Sequence, residues 1–238
     1  MRAAFITLLS FSAGLATAAV SGPSPAPAAG SDILRVLGPL LSRGADIYLP
    51  TAPEWTNLTQ RWDTYASPTV TATVEVGTRA DVQQTVKYAT KRGIKILVRN
   101  TSHGFTKSLE AKSGGIQISL SRLNSISVNT KTRKLTVGGG VENWQIVDAL
   151  QAVNQRTSTG GCDCVGIMGL ALGGGHGKLQ GLYGVVSDVL IEAEVVLASG
   201  EVVTASEKKN QELFWGLRGA GMHPPFGHVS EIIDRFIP

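Results

Sequence analysis

Three short segments gather the residue types that do chemistry. The first is Val98-Arg99-Asn100-Thr101-Ser102-His103-Gly104-Phe105. Arg99 can pair with a phosphate, Asn100, Thr101 and Ser102 offer hydrogen-bonding groups, and His103 sets an imidazole beside a glycine that lets a ligand approach. Taken alone, such a histidine is more often a structural loop residue. The second is Gly160-Gly161-Cys162-Asp163-Cys164-Val165-Gly166, whose thiols could serve as metal ligands, disulfide halves or nucleophiles. A Cys-x-Cys pair with scattered His103, His176, His223 and His228 has no recognised zinc spacing, so no metal is expected. A Cys162–Cys164 bridge would be strained. The third is Gly173-Gly174-Gly175-His176-Gly177-Lys178. It fails as a P-loop because Leu172 and Leu179 stand where a glycine and a Ser or Thr are required, and as a dinucleotide fingerprint because Lys178 replaces the last glycine. Two uses remain. One is a loop whose bare N–H groups meet an anion; the other, commoner for a lone glycine run, is a tightly packed turn.

These segments need elements to hold them. Val70 to Val76 alternates in the two-residue period of a strand. Thr78 can cap a helix with Val82, Val86 and Ala89 on one face and Gly93 as its left-handed stop. Ile94 to Val98 reads as the next strand, and in a βαβ unit ligands sit beyond the carboxyl end, where Arg99 to Phe105 lie. Gly115 to Leu120, Ser125 to Val128 and Lys134 to Val137 suggest an antiparallel meander. Val141 to Val153 has helical spacing, with Trp144, Val147, Leu150 and Ala152 expected on the buried side. Val189 to Leu197, a turn at Ser199-Gly200-Glu201 and Val202 to Thr204 close the pattern.

The joint order of the three segments resembles the FAD-linked oxidases of the vanillyl alcohol oxidase and p-cresol methylhydroxylase superfamily, in its berberine-bridge-enzyme-like branch. Arg99 to His103 match the Arg-x-x-x-His loop whose histidine bonds the flavin 8α-methyl, and Gly160 to Gly166 match the segment whose cysteine bonds flavin C6. The register puts Cys162 on the linking position and leaves Cys164 as a small buried thiol. Gly173 to Gly177 match a Gly-Gly-Gly-x-Gly run, Tyr183-Gly184-Val185-Val186-Ser187-Asp188 a Tyr-Gly-x-x-x-Asp motif, and Glu212 to Gly221 a further one.

The resemblance implies an α+β fold: a PCMH-type FAD-binding domain of two αβ subdomains with FAD between them. It implies cofactor contacts from Arg99, Asn100, Thr101, Ser102, His103, Gly104 and Phe105, from Gly161, Cys162, Val165, Gly166 and Gly169, and from Gly173, Gly174, Gly175, His176 and Gly177. Tyr183, Gly184, Asp188, Gly227 and Val229 complete the set, with covalent FAD on His103 and Cys162. A small-molecule substrate, an alcohol, sugar or secondary metabolite, and O2 are the implied partners. Family members carry a substrate domain with the catalytic base, which this chain lacks, so no base is assigned and a truncated, non-catalytic FAD-binding fragment is the competing expectation. The segment Met222-His223-Pro224-Pro225-Phe226 departs from the family pattern. A secreted structural or carbohydrate-binding module is the reading from another class.

Arg2, the apolar run Ala3 to Leu15 and Ala16-Thr17-Ala18 make residues 1–18 a secretory leader, which places the protein outside the cell. Residues 19–30 read as a disordered spacer, 31–67 as an N-terminal extension and 68–238 as the FAD domain, incomplete at its C-terminus. No stretch reaches the roughly 18 uninterrupted apolar residues of a membrane span. The net charge of +4 is scattered without a basic stripe, so no nucleic-acid partner is expected. Asn57-Leu58-Thr59 is an N-glycosylation sequon.

Overall fold

The computed structural model describes residues 30–221 and 228–235. The leader, nearly all of the spacer and Met222 to Gly227 lie outside them. In the first half, α1 (Gly30–Val36), β1 (Asp46–Tyr48), α2 (Trp55–Thr59), β2 (Ala72–Glu75), α3 (Arg79–Lys91), β3 (Ile96–Arg99) and β4 (Ile116–Ser119) build a sheet in the order β1-β2-β4-β3. β1 runs antiparallel to β2, while β2, β4 and β3 are mutually parallel. Ile33 and Leu37 of the α1 region, Val82 and Val86 of α3, Val74, Ile116 and Ile118 share one core, so the N-terminal segment packs into this layer.

The sequence reading placed β4 in an antiparallel meander, and the structure moves it between β2 and β3 as a parallel strand. All four of its residues are buried, as befits a parallel strand covered on both faces. The alternation of Ile and polar residues misleads there because Gln117 finds buried partners, donating to the Leu58 carbonyl at 2.7 Å and to Thr73 Oγ1 at 3.1 Å.

Thr78 caps α3 as its sequence requires, accepting from the Asp81 N–H, and Gly93 ends the turn at φ +64°. Asp81 does more than close a capping box. Its side chain, only 1% exposed, accepts from Ser42 N (2.6 Å), Ser42 Oγ (2.7 Å), Gly77 N (3.1 Å) and Thr78 N (2.8 Å). Burial by itself would raise the carboxyl's pKa, but these donors outweigh it and hold the pKa below the ordinary value. A depressed pKa contributes stability that is present above the unfolded value of about 3.9 and is lost as pH falls through the folded value. Asp81→Asn therefore costs about 2 kcal/mol near neutral pH. In urea titrations the gap between wild type and variant shrinks as pH drops below that of a free aspartate; a gap constant with pH would refute the assignment.

The second half holds β5 (Ile126–Asn129), β6 (Lys134–Gly138), α4 (Asn143–Gln151), α5 (Ile167–Leu172), α6 (Gln180–Tyr183), α7 (Val186–Val189), β7 (Leu190–Val196), β8 (Val202–Ser206), α8 (Gln211–Leu217) and β9 (His228–Arg235). Its sheet is antiparallel in the order β5-β6-β9-β7-β8, so the last strand among the described residues is the central one. Leu135, Val137, Ile146, Leu150, Ile167, Val195, Phe214 and Leu217 form its core.

Helix α4 buries Asn143, Ile146 and Leu150, and the expected Trp144, Val147 and Ala152 face outward. Two apolar stripes compete on this helix. The one that starts at Asn143 wins because that side chain anchors the neighbouring cysteine loop.

Helix α3 ties the halves together. Gln83 donates to the Gly200 carbonyl (2.8 Å), Thr90 donates to Ala198 (2.8 Å), and Arg79 pairs with Glu194 of β7. Among the described residues no helix is long and apolar enough to cross a membrane.

Candidate functional site

Between the two sheets, beyond the carboxyl ends of β3 and β4, lies a cavity of about 290 Å³. Arg99, Asn100 and Thr101 line one side, and Ser121, Asn124, Gly140, Glu142 and Gln145 the other. A second hollow of about 410 Å³ shares Asn124 and extends to Arg79, Arg122, Gly138 and Glu194. Both volumes fall in the range of small-ligand sites, about 300–1,000 Å³ or just under it.

Sequence reasoning found the β3 side and missed the rest. Ser121 to Asn124 follow a second parallel strand, which the ligand rule for α/β sheets would have flagged had β4 been read as parallel. Gly138-Gly139-Gly140 was the other signal. A Cβ on Gly138 or Gly140 would run into the carbonyl oxygens of Leu123 or Leu120, so these glycines let β6 close against the loop after β4.

The loop after β3 is held by a dense set of contacts. Ser102 takes a left-handed turn at φ +64°, uncommon for a residue with a Cβ and sustained only where the surroundings fix it. Here Arg99 Nε donates to Ser102 Oγ at 2.7 Å, and Trp62 N donates to the Ser102 carbonyl at 3.3 Å. The remaining recorded contact of the Arg99 guanidinium is to the Asn57 carbonyl at 3.2 Å. Arg99 thus braces the loop, a role the phosphate-pairing reading did not foresee. Arg61 Nη2 donates to the Gly104 carbonyl at 3.0 Å. Burial, then the charge of Arg99, lowers the Arg61 pKa, and burial lowers that of Arg99; both remain cations. Neither is in an ion pair among the described residues; across the cavity from Arg99 stands the carboxylate of Glu142.

This loop and the cysteine loop are joined directly. Gly166 N donates to Thr101 Oγ1 at 2.9 Å, and Asn100 Nδ2 donates to the Val141 carbonyl at 3.1 Å. A Cβ on Gly166 would strike the Asn100 amide. His103 Nε2 lies 3.1 Å from the Cys164 carbonyl. A carbonyl only accepts, so Nε2 carries the proton and the Nδ1 lone pair of the neutral ring is left for another partner. Asn143 Nδ2 donates to the Cys162 carbonyl at 2.9 Å. Both thiols are free and exposed. That corrects the expectation of a small buried thiol at Cys164: the loop is anchored through backbone carbonyls, and both side chains project away from the core.

The glycine run behaves mostly as the packed turn. Gly173 and Gly174 N–H groups return to Leu170 and Ala171 carbonyls at the end of α5 (3.1 and 3.3 Å). Gly175 (φ +80°) is packed against Val186, and a Cβ on Gly177 would overlap the Thr159 carbonyl, whereas Gly174, at φ +100°, has open space around it. His176 Nδ1 contacts Gln180 Oε1 at 2.9 Å. Gly169 lies within α5 and Val165 passes its carbonyl to Asn143 N (3.0 Å). Tyr183 ends α6, Gly184 makes a left-handed turn (φ +81°), and Asp188 accepts from Val185 N at 2.9 Å and meets Arg218 at 3.4 Å. The turn around Tyr183, Gly184 and Asp188 therefore supports the cysteine loop, with Ser158 Oγ donating to the Gly184 carbonyl at 2.8 Å. Phe105, at 67% exposure, and Gly161, with nothing near a Cβ, stand at the surface and line neither hollow. Val229 pairs through its backbone with Val195 in the sheet, and Gly227 lies outside the described residues. No cluster able to hold a metal occurs among the described residues.

The donor set fits a flavin dinucleotide. Two adjoining polar hollows run between the subdomains, and a free imidazole nitrogen and a free thiol stand on one pair of linked loops. Comparison with known proteins agrees. A family described as an FAD binding domain matches residues 70–206. FAD-linked oxidoreductase anuG of Penicillium roqueforti is 37% identical over 207 residues, 87% of this chain and 40% of the relative. FAD-linked oxidoreductase OXR1 of Pyricularia oryzae is 44% identical over 186 residues, 78% of this chain and 36% of the relative. Among solved structures, 6-hydroxy-D-nicotine oxidase of Arthrobacter nicotinovorans superposes with a TM-score of 0.76 at 33% identity, over 83% of this chain and 43% of that one. The berberine-bridge-enzyme-like protein 1 of Physcomitrella patens gives 0.77 at 28%, over 84% and 44%. The chain spans about 40% of the length of the curated relatives it matches. With the match running from β2 to β8 and taking in the loops between them, the chain belongs to the FAD-binding domain family of the vanillyl alcohol oxidase and berberine-bridge-enzyme-like flavoproteins.

Proposed function

We propose that this protein is an exported FAD-dependent oxidase whose flavin is bonded to both His103 and Cys162, and which oxidises an alcohol, sugar or secondary metabolite with dioxygen as acceptor. The observation that carries the reading is the joining of the two loops. His103 Nε2 sits 3.1 Å from the Cys164 carbonyl, two residues past Cys162, in the loop whose Arg99, Asn100 and Thr101 line the cleft. The names of similar proteins support the substrate class, since a xylooligosaccharide oxidase superposes with a TM-score of 0.77 at 26% identity. The leader supports export, and the sequon at Asn57 is proposed to carry a glycan.

When bound, FAD supplies the two-electron chemistry. This chain's residues bind and orient it. Asn100, Thr101, Ser121, Asn124 and Gln145 offer polar groups along the cleft, and Arg99 is the cation that lines it, a charge suited to a diphosphate. The Cys164 carbonyl holds the proton of His103 on Nε2, so that Nδ1 is the nucleophilic atom. The base that takes the substrate proton is assigned to none of these residues.

The test is retention of flavin. The purified protein is yellow, and Asn124→Trp, which fills the residue common to both hollows, folds because Asn124 is exposed but loses stoichiometric FAD. A colourless wild type, or an Asn124→Trp variant with full flavin content, refutes the placement.

A further inference from the structure

We propose that Trp62 is a positioning residue for His103, holding the imidazole in the orientation from which it bonds the flavin. This rests on the reading of His103 as a flavin-linking residue. The Trp62 and His103 rings are 5.0 Å apart between centroids and tilted by 31°, within the geometry of a stabilising aromatic pair. It is the one such ring pair among the described residues. Trp62 is 75% exposed, so the core does not account for an indole there. Its surroundings aim it at the loop. Trp62 N donates to the Ser102 carbonyl, the preceding Arg61 donates to the Gly104 carbonyl, and these two contacts bracket His103 from both sides in sequence. Arg61 is committed to this place at a cost: its Nε is buried without a hydrogen-bond partner, which is expensive for a charged group.

Two restraints thus act on the ring. The Cys164 carbonyl fixes one nitrogen, and the indole face limits rotation about the side chain. The link forms a C–N bond from Nδ1 as one C–H of the flavin 8α-methyl breaks, and the Nε2 proton is given up to water once the ring is alkylated. The electron pair released would reduce the flavin, and dioxygen, the oxidant, takes up that pair with two protons as hydrogen peroxide. Such a reaction needs the nitrogen in line with the methyl carbon, and misplacement by about 1 Å can cost on the order of 100-fold.

The test uses the full chain produced with FAD. In Trp62→Ala, flavin on the His103 peptide falls about tenfold or more in early time points of attachment, while flavin on the Cys162 peptide stays at the wild-type level; Trp62→Phe restores the His103 adduct. A general loss of fold would lower both adducts together. In flavin-free protein, imidazole ¹⁵N shifts report His103 as the Nε2–H tautomer, and Trp62→Ala converts it to a tautomer mixture. Attachment at His103 with wild-type rate in Trp62→Ala, or equal loss of both adducts, overturns the proposal. A wild-type protein with no flavin on His103 refutes instead the reading on which it rests, and unchanged ¹⁵N shifts in Trp62→Ala then overturn the positioning role as well.

Discussion

Acid precipitation of the purified protein carries the yellow colour down with the polypeptide, and only the double variant His103→Ala/Cys162→Ala leaves FAD in the supernatant. The single variants each retain one bond, so peptide mapping finds flavin on Cys162 in the first and on His103 in the second. The expected change is from nearly complete to essentially no acid-stable flavin, the largest effect foreseen for any variant of this chain. The geometry behind it is local. His103 and the cysteine loop are joined by the contact of Nε2 with the Cys164 carbonyl, by Gly166 N with Thr101 Oγ1, and by the fit of Gly166 under Asn100, the proximity of the two loops that the proposed double link requires. Cys164→Ser leaves the carbonyl that His103 uses and changes little. Flavin found on the Cys164 peptide would shift the register, and flavin on neither cysteine would reduce the attachment to a single link, with FAD binding itself still standing.

Gly177→Ala unfolds or severely weakens the protein, because the added Cβ would overlap the Thr159 carbonyl oxygen and touch its carbon. The obstacle is backbone, which has no rotamer to adopt, so the cost is about 3 kcal/mol or more. Gly161→Ala is the control: it lies exposed in the neighbouring cysteine loop, nothing stands within 4 Å of its Cβ, and its stability stays within the ordinary range of surface substitutions, about 0.5 kcal/mol. If Gly177→Ala melts like wild type and merely loses flavin, the glycine run contacts the cofactor by close backbone approach and is not a packed turn. The expected order, loss of fold first, follows from Gly177 lying against the Thr159–Gly160 backbone that leads into Cys162.

The sequence determined a good deal by local physics. Thr78 and Gly93 bounded α3 because a side-chain cap and a left-handed glycine are properties of single residues. The expected strands appear as β2, β3, β5, β6, β7 and β8, and Arg99, Asn100 and Thr101 of the first motif line the cavity beyond β3. What local pattern left open was every choice between equivalent surfaces. Four residues of Ile-Gln-Ile-Ser satisfy an antiparallel edge or a buried parallel strand equally well, and only the partners of Gln117 across the sheet decided for β4. Helix α4 offered two stripes, and the Asn143 anchor to the cysteine loop selected one. Whether a glycine run cradles an anion or packs a turn depends on what faces it, here Val186 and Thr159. Ser121, Asn124, Glu142 and Gln145 carry no chemical signature of their own; they became site residues when the two sheets closed a cleft over them. Trp62 likewise entered only in three dimensions, because stacking on His103 is a contact across 41 positions of chain. Such a contact is set by the packing of the N-terminal segment on the first sheet, which no period of two or 3.6 residues encodes.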